Sequence, residues 1–233
     1  MDFFDRQWTS YRCIVDHNLM EHRQVATATA HALEGWLASR PSGAPAPRMV
    51  DLGCGDLALL APLLRRLPLD AYTGLDLAAG VLPLAERALG PVAYRTHWQE
   101  GDLLAWANGG GEPVDILHSA FAIHHLNDAQ KLTFLEAARG RLNPGGVFVW
   151  ADIFREPNED LAHYRDRYVA RICSGWQPLS VDQQSNVIEH VCSFDLPADR
   201  QTIVERAEAC GWRWQWLWQG QHRAEALAVL TPA

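Results

Sequence analysis

Two carboxylates and a glycine turn are the residues best spaced for chemistry. Met49-Val50-Asp51-Leu52-Gly53-Cys54-Gly55-Asp56 runs from an apolar stretch into a turn, and a helical pattern follows from Leu57 to Leu67. The apolar residues read as a buried parallel strand. Gly53 and Gly55 let the backbone approach a ligand that a Cβ would exclude, and the start of the helix offers free N–H groups. Asp76 ends a second apolar run about 20 residues further on, the spacing that sets a carboxylate against ribose hydroxyls. Its two acceptor oxygens suit a diol. Together these features make a site for a nucleotide-like cofactor. His124 and His125 are imidazoles able to take a proton near neutral pH.

Asp51, Gly53 and Gly55 resemble motif I of the class I S-adenosylmethionine-dependent methyltransferases, acid-x-Gly-x-Gly-x-Gly. Leu57 stands where the third glycine belongs, which predicts a tighter or displaced turn. A dinucleotide fingerprint fits less well, because its third glycine would fall at Ala58 and Asp51 would have no role with a pyrophosphate. Gly101-Asp102-Leu103 resembles the family's third motif. The run from Val114 to Leu126 resembles the fourth, and Leu142-Asn143-Pro144-Gly145-Gly146 the turn before strand five. The resemblance covers residues 45–155 well and the last hairpin in outline.

What the resemblance implies is S-adenosyl-L-methionine as cofactor, held by Asp51, Gly53, Gly55, Asp76, Leu77, Asp102, Leu103 and Ser119, with Phe121 at the transfer cleft. Asp102 would accept from the adenine amino group while Leu103 packs on the ring. The N-terminal segment commonly covers the cofactor in this fold. Arg23 could then pair with the methionine carboxylate, and Tyr11 could face the sulfonium. His125 and His124 are the candidate bases for a transfer that mainly needs alignment. No metal is expected.

Composition narrows the partners. The 233 residues are 48% hydrophobic and carry a net charge of −8 with a pI near 5.6. That balance disfavours nucleic-acid phosphates and favours a small-molecule substrate. Five cysteines without a Cys-x-x-Cys pair argue against disulfides and against zinc. With no long apolar run and no signal-peptide core, the expectation is a cytoplasmic protein without a membrane span. Two alternatives stay open: a tRNA or protein methyltransferase of the same fold, and a nicotinamide-dependent oxidoreductase.

The elements that must position these residues form one domain. Residues 1–40 read as a helical cap, with one amphipathic helix from Asp16 to Ser39 after an aromatic and basic segment containing Arg6 and Arg12. Pro41 to Pro47 is a hinge-like linker. Residues 48–154 are the cofactor-binding core, with strand three over Val92–His97 and strand five over Val147–Phe154. Residues 155–195 read as a helical insertion that closes the pocket together with the cap, and 196–233 as a helix and hairpin. Strands alternating with helices predict an α/β, doubly wound, mostly parallel seven-stranded sheet, with helices on both faces; the resemblance implies the order 3-2-1-4-5-7-6. By the period of two, Trp212, Trp214, Trp216 and Trp218 share one strand face, which is either packing, a homodimer interface or an aromatic substrate wall.

Overall fold

Unbroken apolar runs, buried on both faces, build the middle of the sheet. The computed structural model describes residues 3–233, with side chains from Thr9 onward, so the side chain of Arg6 lies outside the described residues. Strands β1 (Arg48–Leu52), β2 (Ala71–Asp76), β3 (Arg95–Glu100), β4 (Val114–Ala120) and β5 (Leu142–Arg155) pair in parallel. The hairpin β7 (Trp212–Gln219) and β8 (Glu225–Pro232) adds antiparallel through β8. The order is β3-β2-β1-β4-β5-β8-β7. The seven long strands thus follow the expected order, and the difference is a two-residue strand, β6 (Ala198–Asp199), beside the end of β5.

Alternate residues of the strands fill two cores. On one face Val50, Leu52, Leu117, Phe148 and Trp150 meet α6 (Asp128–Arg139) and α9 (Arg200–Ala209). On the other, Met49, Ile116, Val147 and Val149 meet α2 (His22–Ser39), α3 (Ala61–Leu64) and α4 (Leu82–Leu89). A short helix, α5 (Leu103–Asn108), precedes β4. Helices α7 (Leu161–Gly175) and α8 (Val181–Ser193) form the insertion, and their Tyr164, Tyr168, Ile172 and Val191 bury against Ile14 of α1 (Phe3–Asp16).

Several expectations need correction. The helix read over 16–39 is broken at 17–21, where Asn18 and Glu21 take φ of 57° and 56° and the Asn18 carboxamide accepts from the Arg23 N–H. Its second half is no separate cap. Val25, Ala28, Ala32 and Leu33 of α2 are buried in the core, and the Trp36 indole donates to the Gly145 carbonyl at 3.0 Å. The helix after the glycine turn shrinks to α3 because Leu57 adopts φ 55°. Strand three starts three residues late, since the Tyr94 hydroxyl is held by the Leu64 carbonyl and Arg95 is the first residue in register with β2. A bulge between Trp216 and Trp218 breaks the tryptophan row. Trp212, Trp214 and Trp216 pack into the α6–α9 core, whereas Trp218 turns to the α2 side.

Gly74 marks the tightest strand position near the site. A Cβ there would stand 2.7 Å from the Trp98 ring and 3.0 Å from Cys54 Sγ. Gly74→Ala is expected to cost about 1–3 kcal/mol of stability through this overpacking, read as a lower urea midpoint at unchanged slope.

Candidate active site

A cavity of about 480 Å³ opens at the carboxyl ends of β1, β2 and β4, the edge where open α/β sheets take their ligands. Its floor is the glycine turn. The N–H groups of Gly53 and Cys54 donate to the Leu75 carbonyl, and that of Gly55 donates to Asp76 Oδ2 at 2.9 Å. Gly53 has φ 75°, and a Cβ there would meet Ala122 Cβ at 2.5 Å. Where the family pattern has a third glycine, Leu57 holds the left-handed conformation with its side chain buried. That backbone state is uncommon for a bulky residue, so the turn keeps its shape at a cost that burial of Leu57 offsets.

Asp76 also accepts from the Ala78 N–H at 2.9 Å. Burial raises its pKa, and these backbone donors work against the rise. Asp102 caps α5, accepting from the Ala105 N–H at 2.7 Å. Asp76, Leu77, Asp102 and Leu103 all line the cavity, with Leu77 72% exposed. Asp51 does not accept from the N–H groups of the turn. Buried in β1, it accepts from the Tyr72 hydroxyl at 2.9 Å and sits 2.6 Å from His118 Nδ1.

Helices α1 and α2 roof the cavity with Tyr11, Val15, His22, Val25 and Thr29. Arg12 fastens that roof to the floor by donating to Asp56 Oδ2 at 2.8 Å. His22 packs on Phe121 with ring centroids 4.9 Å apart. Burial pushes the His22 pKa down to about 4, so its ring is neutral at pH 7. His22 and His118 lie in stretches that sequence reading singles out, the N-terminal segment and the run from Val114 to Leu126, but neither they nor Thr29 carry a local signal that marks them individually. Their buried atoms His22 Nδ1, Thr29 Oγ1 and His118 Nε2 have no hydrogen-bond partner. Unpaired buried polar atoms are costly, and these three line the cavity, two from the α2 roof and one from β4.

Other expected members lie elsewhere. Arg23 is exposed and donates to the Asp16 carbonyl, because α2 begins at His22 and turns Arg23 outward. The Ser119 hydroxyl donates to the Leu52 carbonyl and is fully buried between strands. His125 reaches the cavity, whereas His124 is buried 2.6 Å from Asp152. Burial lowers the His125 pKa to about 4, helped by the adjacent His124. For His124 the carboxylates of Asp152 and Asp195 outweigh burial and raise it to about 10. The insertion contributes no described residue to the cavity wall. It supports α1 from outside instead.

The His22 shift has a sign that can be tested. With the folded pKa near 4 and the usual value 6.5, the unfolded chain binds the extra proton between them. The stability this neutral ring preserves is complete above pH 6.5 and is lost as pH falls toward 4. His22→Asn should therefore reduce the slope of unfolding free energy against pH across that window, measured by denaturant titration at several pH values.

Residues 50–148 match a family model described as a methyltransferase domain. The chain is 36% identical over 102 residues to trans-aconitate 2-methyltransferase of Azoarcus sp., covering 44% of this chain and 37% of that protein. It is 29% identical over 189 residues to a ubiquinone biosynthesis O-methyltransferase of Cereibacter sphaeroides, covering 74% and 71%. An uncharacterized Synechococcus protein is 34% identical over 114 residues, 47% of this chain and 27% of that one. The chain thus spans only about a quarter to two fifths of the length of two of these relatives. Among solved structures, the DhpI–SAH complex shares the fold with a TM-score of 0.56 at 17% identity, covering 95% of this chain and 98% of that one. Glycine turn, acidic strand ends, strand order and the matched residues 50–148 together support a class I S-adenosylmethionine-dependent methyltransferase, whose fold the solved structures share.

Proposed function

We propose that this chain transfers a methyl group from S-adenosylmethionine to a small molecule held beneath α1 and α2. The observation that carries the reading is the cavity itself. Its floor is the Gly53–Gly55 turn with Asp76, and its wall carries three unpartnered buried polar atoms. When bound, the cofactor supplies an electrophilic methyl on a sulfonium. Asp76 suits the ribose hydroxyls, Asp102 and Leu103 the adenine, and the Asp51–His118 pair the ammonium end. With Nδ1–H facing Asp51, His118 Nε2 is an acceptor.

For the acceptor, the neutral His22 ring, the Thr29 hydroxyl and His125 are polar groups that line the cavity. A histidine whose pKa lies near 4 is a weak base, so these residues orient the substrate more than they deprotonate it. The relatives named for trans-aconitate and ubiquinone biosynthesis support a small metabolite as acceptor. The net charge of −8 supports a partner other than nucleic acid. Among the described residues no helix is long and apolar enough to cross a membrane.

Calorimetry should show binding of S-adenosylmethionine and its demethylated product, and binding of a nicotinamide dinucleotide in their place would overturn the reading. Asp76→Ala should weaken cofactor binding at least tenfold, about 1.4 kcal/mol, because it removes ribose acceptors and the hold on the Gly55 N–H together. Arg12→Ala releases the roof from Asp56 and should weaken binding severalfold while the circular dichroism spectrum stays unchanged. Unaltered affinity in both variants would show that neither the carboxylate nor the roof contributes to the site.

A further inference from the structure

The loop after β4 and the end of the insertion bring together three imidazoles and one carboxylate. His124 Nε2, His125 Nδ1 and His190 Nε2 stand 3.4, 3.6 and 3.4 Å from Asp195 Oδ1. None of them meets that oxygen in hydrogen-bonding geometry, and it is buried without a partner. The ligand atoms of His124, His125 and Asp195 all lie within 4.8 Å of one another. Separations near 3.4 Å are too long for good hydrogen bonds and match the edges of a coordination tetrahedron. Two ligand atoms each about 2.1 Å from one tetrahedral ion, the bond length of zinc to imidazole nitrogen, stand about 3.4 Å apart.

We infer that His124, His125 and Asp195 bind one zinc-type divalent transition-metal ion. Imidazole and carboxylate are the donor types such ions prefer. The supporting contacts are those of a ligand set held in place. Asp152 Oδ1 lies 2.6 Å from His124 Nδ1 and accepts its N–H, which leaves Nε2, on the Asp195 side, as the nitrogen that gives up its proton to a metal. Asp152 is itself fixed by the Trp150 indole and the backbone N–H groups of His124 and Ile153. The two ligand-bearing segments are tied by the Leu196 N–H donating to the His124 carbonyl at 2.9 Å. Buried Lys131 spans the same gap, donating to the carbonyls of Leu126 and Leu196.

Three protein ligands leave the fourth position of a zinc shell open, and His190 Nε2 stands 3.4 Å from Asp195 Oδ1. The ion joins the end of the insertion, through Asp195, to the loop whose residues His125 and Leu126 form part of the cavity wall. It is therefore a staple between the insertion and the site, independent of whether methyl transfer is the activity.

Metal binding can be read without any assay of turnover. Untagged full-length protein, stripped with chelator, loaded with zinc and desalted, should retain about one equivalent by elemental analysis. The same apoprotein titrated with cobalt(II) should develop the intense visible bands of a tetrahedral site. His125→Ala, at the half-exposed ligand, should lower zinc affinity at least tenfold and weaken the cobalt bands while the fold is kept. Asp195→Asn should do the same. Zinc should raise the melting temperature of the parent and not of either variant. A folded parent that retains no zinc, or that gives only the weak spectrum of octahedral cobalt, would overturn the inference. So would variants that bind as tightly as the parent, leaving the cluster as an ion pair of His124 between two aspartates.

Discussion

A buried carboxylate at the middle of the sheet holds the rest in place. Asp51 is 1% exposed, on the central strand β1. It is flanked by Tyr72 from β2 and His118 from β4, so a single side chain binds three parallel strands. An unpaired charge there would cost several kcal/mol, and each partner removes part of that penalty. The arrangement fixes the relative register of β2, β1 and β4, and that register decides where the strands end. Their carboxyl ends form the crevice at which the chain reverses its order of winding, the switch point where ligands bind. The same pair turns His118 Nε2 to the cavity wall. One constraint therefore serves the fold and leaves a polar group for the ligand.

The core was readable in the residues because its signals are local. An apolar run, a glycine turn and an acid about 20 residues on lie within a few turns of chain. Asn127 and Gln130 form the capping box of α6 from four consecutive positions. Errors gathered where a tertiary contact overrode the local pattern. Val92 to Tyr94 alternate like a strand, yet the Tyr94 hydroxyl is claimed by the Leu64 carbonyl. The tryptophans alternate perfectly, but one extra residue at the bulge sends Trp218 to the opposite face. Leu57 is legible as a departure from a motif, and only the backbone angle shows how the departure is absorbed.

The cavity's roof was less readable for a different reason. Whether a helix covers a ligand or belongs to the core depends on which partner its apolar face meets, and amphipathic periodicity is the same in both cases. Here the two roles are divided at the break around Asn18. Helix α2 commits its small residues to the strands, so only its first turns, at His22 and Thr29, reach the cavity. Helix α1 has little sheet to pack on. It leans on α7 and α8 through Ile14 and is tied to the glycine turn by Arg12 and Asp56. The elements most able to move lie over the site, while those below it are fixed by strand pairing.

The insertion thus acts on the cavity from behind. It holds α1 by packing and holds the loop after β4 through His190 and Asp195, which reach His125. Such a link is hidden in a sequence because the contributing residues, at 124, 125, 190 and 195, belong to two segments more than 60 positions apart and lack the close spacing that betrays a metal or catalytic motif. It also explains why polar helices with no residue in the cavity remain part of the site. Helices α7 and α8 bury few of their faces, and without anchoring contacts their ordering entropy would outweigh what they gain. Charged groups carry much of that anchoring: Arg171 to the buried Glu225 at 2.6 Å, Arg167 to the carbonyls of His222 and Arg223, and the histidine cluster at the far end. Loosening any of these would reach the cavity through the roof or through His125, not by contact with the ligand.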